Sequence, residues 1–326
     1  MKLATIKTSE RDGKLMIVSS DSRYATPASG IATTLQDALD RWHETQGALQ
    51  TKYEALNAGE IDHVIEFQGQ AFASPLPRAY QFLDGSVYLS HMKKARQARG
   101  AKMPANYETE PLMYQGLSDS FLGPYEQASF PTEEIEIDFE AEIGVIVDDV
   151  PLGTQRKHAA QHIKLVVLLN DFTARALTKT ELPKGFGFVQ SKPTSSFAPI
   201  AVSPESLGDY WHDNRLNLPV NTYINGTQLG QPNAGEGMYF DFADLIVHAS
   251  RTRRLAAGTI IGAGAVSNPD ISRGYACIAE ARVEEQIASG AASTSFLNFG
   301  DQIRIEICGA RGETIFGAIE QTIVQA

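Results

Sequence analysis

Between Glu134 and Val147 the chain reads EIEIDFEAEIGVIV, with carboxylates at Glu134, Glu136, Asp138, Glu140 and Glu142 and mostly apolar residues between them. Strict alternation over such a length predicts a strand with one buried face. A row of five like charges repels itself unless a cation or basic partners sit opposite. Same-face neighbours lie about 6.5 to 7 Å apart along a strand. Glu140 and Glu142 can therefore converge on one ion at the ~2.0 to 2.6 Å oxygen distances of Mg²⁺ or Ca²⁺. Taken alone, the strand reads more plainly as a solvated acidic face on a sheet edge. Asp171 changes that balance. It ends the apolar run of LVVLLNDFTARA, where a carboxylate needs a partner because an unpaired buried charge is very costly. Arg175 could be that partner. Alternatively Asp84, Glu140, Glu142 and Asp171 together form an all-oxygen site for a hard divalent cation. No His or Cys pair has zinc spacing, so Mg²⁺, Ca²⁺ or Mn²⁺ suits the ligands better.

The elements that must position these groups are mostly strands. Met1 to Ser20 reads as short strands around a polar turn at Glu10 to Lys14. Thr34 is a plausible N-cap, and Leu35, Ala38, Leu39 and Trp42 follow a helical stripe that Leu49, Tyr53 and Leu56 continue beyond Gly47. His43 and His63 have no acidic or nucleophilic cluster near them, so this first module, residues 1–72, reads as structural. Pro75 and Pro77 break any regular element and mark the boundary to a catalytic domain of residues 73–326. There, Gln155 to Leu169 and Asp241 to Ser250 are helix candidates. The segments PVNTYING, GTIIGAGAV, ACIAEARVE and GDQIRIEICG read as strands, with Asn225-Gly226 a hairpin turn. The fold expected is α+β and β-dominated, with mixed sheets in a roll or sandwich and a small N-terminal domain.

Composition narrows the function classes. The 326 residues suffice for one large domain or two smaller ones, and 43% hydrophobic with 21% charged residues is ordinary for a globular enzyme. A net charge of -11 argues against a nucleic-acid surface or anionic lipid. It does not forbid an anionic substrate, since a local metal or Arg charge can override it. The two cysteines, Cys277 and Cys308, make no disulfide framework. MKLATIKTSERDG lacks the apolar stretch of a signal peptide, and no run approaches a membrane span, so a reducing cytoplasm is the expected location.

The segments DGSVYLSH, DFEAEIGVIV, NDFTARA, VQSKPTSSF, GTIIGAG and IAEA resemble, in this order, those of the fumarylacetoacetate hydrolase family. The resemblance runs from about Arg78 to the C-terminus. It implies that Asp84, Glu140, Glu142 and Asp171 are metal ligands, with Lys192 and Ser196 near a second cation site. There Ser196 stands in place of a Thr. It implies that His91 and Glu280 form a water-activating dyad, their atoms about 2.6 to 3.2 Å apart or bridged by one water. Arg175 and Lys192 would steady an oxyanion, and Tyr114, Thr259 and Arg99 would contact substrate. Thr178 stands where the family's hydrolases carry a Gln, and a hydroxyl is shorter and offers one donor instead of two. The implied partners are a dianionic diketo acid and a second copy of the chain. The implied reaction is C–C hydrolysis of a 1,3-diketo acid, with fumarylacetoacetate the first choice. Its products, fumarate and acetoacetate, would place the chain in aromatic amino-acid breakdown. Another acylpyruvate hydrolase, an oxaloacetate decarboxylase or a keto-acid isomerase are the alternatives within the family. A non-enzymatic β-rich module holding structural Ca²⁺ is the rival outside it, and gives no reason for His91, Lys192 and Glu280 to converge.

Overall fold

A computed structural model describes residues 1–98 and 102–326. Two sheets carry the architecture. The larger has eleven strands and begins in the N-terminal domain, where Ile65–Glu66, Tyr24–Pro27, Lys14–Val18 and Lys2–Ile6 pair in series. Lys2–Ile6 then pairs antiparallel with Ile200–Val202, so the sheet continues unbroken into the rest of the chain. Its centre is Ile163–Asn170 beside Ala141–Val147, followed by Ile260–Gly262, Phe82–Gly85 and Met113–Gly116. Ile260–Gly262 and Phe82–Gly85 run parallel while their neighbours run antiparallel, which makes the sheet mixed. A five-stranded sheet, including Asn221–Ile224, Gln302–Cys308 and Thr314–Gln325, is the second layer. Asn225 and Gly226 both take positive φ between Asn221–Ile224 and Thr227–Gly230, as an Asn-Gly hairpin requires.

Register places the chemistry. Gly262 lies opposite both Gly144 and Asp84, Asp84 lies opposite Tyr114, and Glu142 lies opposite Leu169. Five adjacent strands thus bring Glu142, Asp84 and Tyr114, with Asp171 just beyond Asn170, to one end of the sheet. Gly262 is required there. A Cβ on it would stand 2.3 Å from Asp84 Oδ1 and 3.3 Å from Glu142 Oε2.

Three expected elements differ. The alternating run is not one strand: Glu133–Ile135 is a 3₁₀ turn and Glu136 takes φ 57°, after which come Ile137–Asp138 and Ala141–Val147. Nor is one face wet, since every residue of Ala141–Val147 is buried. Ile143, Val145 and Val147 pack into one core layer and Ile146 into the layer under the N-terminal helices. Gln155–Leu169 is a short helix, Arg156–Ala159, followed by the strand Ile163–Asn170. A continuous apolar run at the centre of a sheet has no period that separates it from a buried helix. ACIAEARVE is also not a strand. Ile278–Ser289 is a helix that stops at Gly290 with φ 84°. The expected N-cap is present, with Thr34 accepting from the Asp37 N–H, although the helix breaks at Arg41 and restarts as Trp42–Ala58. Phe242–Ala249 forms as expected, capped by Asp241. Among the described residues no helix is long and apolar enough to cross a membrane.

Candidate active site

Three carboxylates meet at the end of the sheet. Oxygens of Asp84, Glu142 and Asp171 lie within 4.8 Å of one another, and all three side chains are buried. Asp84 Oδ1 accepts from the Gly264 N–H at 3.1 Å. Asp171 accepts from the Ser195 hydroxyl at 2.7 Å and from the Tyr114 phenol. Both oxygens of Glu142 are buried with no hydrogen-bond donor among the described residues. Burial and the Asp171 charge push Asp84 up to about 8, and burial with Asp84 and Asp171 pushes Glu142 well above the usual carboxylate range. A divalent cation is the species such a set fits: it supplies the charge that three clustered carboxylates lack and the ligand for two orphaned oxygens.

Glu140 does not join that triad. Phe139 and Glu140 stand between the strands Ile137–Asp138 and Ala141–Val147; the Glu140 N–H donates to Asn170 Oδ1, and its carboxylate meets two cations. Arg175 Nη2 reaches Glu140 Oε1 at 2.6 Å, and Lys192 Nζ reaches Glu140 Oε2 and Asp171 Oδ2, each at 2.6 Å. Burial disfavours its charge, yet Lys192 and Arg175 outweigh burial and hold Glu140 far below its ordinary range. The same attractions raise Lys192 and Arg175 above theirs despite burial. Arg175 therefore pairs with Asp138 and Glu140 and not with Asp171.

Beside the triad, His91 Nδ1 lies 3.2 Å from Glu280 Oε2. The contact joins two helices, Leu89–Ala98 and Ile278–Ser289. Glu280 also accepts from Lys94 Nζ and from the Ser267 hydroxyl, both at 2.7 Å. Burial favours its neutral form, but His91 and Lys94 outweigh that and keep it ionised below the ordinary range. A cavity of about 360 Å³ opens onto Asp84, His91, Tyr114, Arg175, Thr178 and Lys192. Tyr114 is steadied by Phe188, edge to face with centroids 4.9 Å apart.

The remaining expected residues divide. Thr178 lines the cavity, its hydroxyl donating to Arg175 O at 2.7 Å. Thr259 stands just before the strand Ile260–Gly262, at the end opposite Gly262, and donates to Ala256 O. Ser196 spends its hydroxyl on Gln321 Oε1 at 2.7 Å; its neighbour Ser195 is the one that reaches Asp171. Arg99 falls outside the described residues. Three side chains that contact the candidate site had not been singled out. Lys94 is i+3 from His91 and would share its face once a helix is assumed. Ser195 is one residue off. Asp138 stands in the acidic run, and its carboxylate takes the N–H groups of Ile278 at 2.8 Å and Ala279 at 2.9 Å besides Arg175 Nε at 2.8 Å.

The model of the fumarylacetoacetate (FAA) hydrolase C-terminal region matches residues 81–324, and that of fumarylacetoacetase N-terminal domain 2 matches residues 1–78. The chain belongs to the fumarylacetoacetate hydrolase family. Its named curated relatives in that family are distant. A 2,4-didehydro-3-deoxy-L-rhamnonate hydrolase of Sphingomonas sp. is 26% identical over 159 residues, 48% of this chain and 53% of that protein. The oxaloacetate tautomerase YisK of Bacillus subtilis is 25% identical over 72% of this chain and 67% of its own length. The match thus spans about half the length of the first of these relatives. Among solved structures, a fumarylacetoacetate hydrolase from Exiguobacterium antarcticum superposes with TM-score 0.68 at 17% identity over the whole of both chains. A maleylpyruvate hydrolase from Sphingobium sp. SYK-6, solved with manganese(II) and pyruvate, superposes with TM-score 0.66 at 18% identity, again over both whole chains. These likenesses establish the mixed-sheet fold of the family, whose members include hydrolases and tautomerases.

Proposed function

We propose that the protein is a divalent-metal-dependent hydrolase that cleaves a C–C bond in a 1,3-diketo acid, fumarylacetoacetate or an acylpyruvate. The observation that carries this reading is the His91–Glu280 contact beside the carboxylate triad, on a cavity of substrate size. Asp84, Glu142 and Asp171 would hold Mg²⁺, Mn²⁺ or Ca²⁺, which when bound polarises both carbonyl oxygens of the diketone as a Lewis acid. Glu280 fixes one ring nitrogen of His91, leaving the other to take a proton from water. The water oxygen adds to the acyl carbon. Arg175 uses Nε and Nη2 on Asp138 and Glu140, so Nη1 is the donor left for the oxyanion. Lys192 has a third N–H beyond those given to Glu140 and Asp171. Each such donor is worth roughly 3 to 4 kcal/mol. Collapse breaks the C–C bond, the acyl group leaves as a carboxylic acid, and the His91 proton passes to the departing carbon. Water's OH and H are thereby divided between the two products.

A second reading has support from relatives named oxaloacetate tautomerases. Keto–enol exchange uses the same cation and the same His91–Glu280 pair, but with His91 moving a proton at the substrate carbon and no activated water. An ultraviolet assay of fumarylacetoacetate, acetylpyruvate and oxaloacetate, with Mg²⁺ and then with chelator, separates the two. Cation-dependent release of two acids from a diketone is the expected result. Enol–keto exchange of oxaloacetate with no C–C cleavage would overturn it. A cytoplasmic homodimer acting on a dianionic small molecule completes the proposal, and light scattering checks the stoichiometry.

A further inference from the structure

A second chamber of about 240 Å³ adjoins the first, and His91, Ala95, Arg175 and Thr178 form the wall the two share. Thr178 is short and folded back onto its own helix by its bond to Arg175 O. Ala279, Arg282, Val283 and Gln286 supply the opposite side of the annex from the i, i+3, i+4, i+7 face of the Glu280 helix. Phe296 closes one side.

The charges around this annex are already matched, with one exception. Lys94 is held between Glu280 at 2.7 Å and Glu284 at 2.9 Å. Lys179 pairs with Glu136 at 3.2 Å, and Arg175 with Asp138 and Glu140. Arg282 has no carboxylate partner among the described residues. Its Nη1 donates to Thr294 O, and its guanidinium carbon lies 4.5 Å over the Phe296 ring. Stacking and one backbone bond hold the guanidinium plane still, and a fixed fork with donors to spare suits a carboxylate.

We propose that the annex is the subsite for the acyl end of the substrate, and that Arg282 binds a second carboxylate at the end of a four- or five-carbon acyl chain. This rests on the hydrolase reading above. The electrophilic acyl carbon must face His91, which borders both chambers. The diketone head would lie in the larger chamber against the triad, and the chain beyond the acyl carbon would run past Thr178 into the annex. The substrate class is then an acylpyruvate-type diketo acid whose acyl group carries its own terminal carboxylate.

Succinylpyruvate and butyrylpyruvate differ at that end only, carboxylate against methyl. With saturating Mg²⁺, wild type should show a kcat/KM at least tenfold higher for succinylpyruvate. Arg282→Gln should erase that preference by raising the KM for succinylpyruvate to the level of butyrylpyruvate. Gln286→Trp, at the solvent-exposed end of the helix face that lines the annex, should obstruct it with the same selectivity. Equal use of both substrates by wild type, or an equal loss on both in Arg282→Gln, would overturn the proposal. Should neither diketone be cleaved, the hydrolase reading fails, and titration calorimetry with succinate against butyrate decides the subsite separately. Succinate heat present in wild type and absent in Arg282→Gln upholds the annex; no succinate heat in wild type removes it.

Discussion

Glu142 is a buried side chain whose two oxygens have no donor among the described residues, set among Asp84 and Asp171. In cation-free protein it is a destabilising group, because a buried unpartnered polar atom costs about 1 to 3 kcal/mol. Glu142→Gln should therefore raise the melting temperature of chelated protein while abolishing the further rise that Mg²⁺ gives wild type, as scanning calorimetry would show. A variant still stabilised by Mg²⁺ to the wild-type extent would mean that the triad is not the cation site. His91→Ala should cut kcat by roughly 10²- to 10⁴-fold, the usual worth of a general base. The Mg²⁺-induced stabilisation should survive, since His91 touches none of the three carboxylates. The carboxylates stood out as residue types in the sequence, whereas the His91–Glu280 pair came only from the family resemblance. The carboxylates' division of labour was not legible. Nothing in alternating Glu140 and Glu142 says that Glu140 falls just outside the strand Ala141–Val147, where its N–H bonds the Asn170 side chain thirty residues on.

At the scale of elements, Asp138 joins three parts of the site. It terminates a two-residue strand, accepts the first N–H groups of the Glu280 helix and holds Arg175. A carboxylate at a helix N-terminus also meets the positive end of its dipole. Asp138→Asn keeps the shape but turns one acceptor into a donor. It should lower kcat about tenfold to a hundredfold, the range seen when supporting hydrogen bonds of catalytic or metal sites are lost, with Mg²⁺ stabilisation unaltered. A comparable loss of Mg²⁺ binding would relocate its role to the triad. Glu181 performs a similar service for Lys192. Its carboxylate takes the N–H groups of Val189, Gln190 and Ser191, just ahead of that lysine. Burial opposes its charge, but the Ser191 hydroxyl and these backbone donors hold it at about 2, against 4.5 for the free group. A lowered carboxylate stabilises the fold fully above the unfolded value and loses that effect as pH falls through the folded one. The stability gap between wild type and Glu181→Gln should thus be full at pH 7, shrink below pH 4.5 and vanish near pH 2 in urea titrations. The helix containing Glu280 shows why elements were less legible than residues. IAEARVE alternates apolar and polar side chains for a few positions, and only the following EQIAS and the cap at Gly290 reveal the longer period.

Across the whole molecule, the N-terminal domain and the catalytic strands share one core. Leu3, Leu15, Ile17, Leu35, Leu49 and Leu56 pack in a single cluster with Ile146, Leu165, Val167 and Leu169. Those last four lie on the two central strands, and their far ends deliver Glu142 and Asp171 to the site. The sequence puts no acidic cluster near His43 or His63, and on that ground the first module reads as structural. Its position was hidden, because pairing of Lys2–Ile6 with Ile200–Val202 depends on residues two hundred positions apart. Removing residues 1–72 would expose the inner face of the central strands and leave Ile200–Val202 without its partner. Loss of several fully buried Leu and Ile contacts, at about 2 to 5 kcal/mol each by large-to-small comparison, exceeds the ~5 to 15 kcal/mol that holds a typical domain folded. The truncated chain should therefore be insoluble or lack a cooperative melting transition. His43→Ala and His63→Ala, both at exposed positions, should by contrast keep kcat and melting temperature at wild-type values. A truncated chain that stays folded and hydrolyses the diketone would show that the catalytic strands are self-sufficient. A hundredfold fall in kcat at either histidine, with the fold intact, would give the N-terminal domain a chemical role that its distance from the triad does not support.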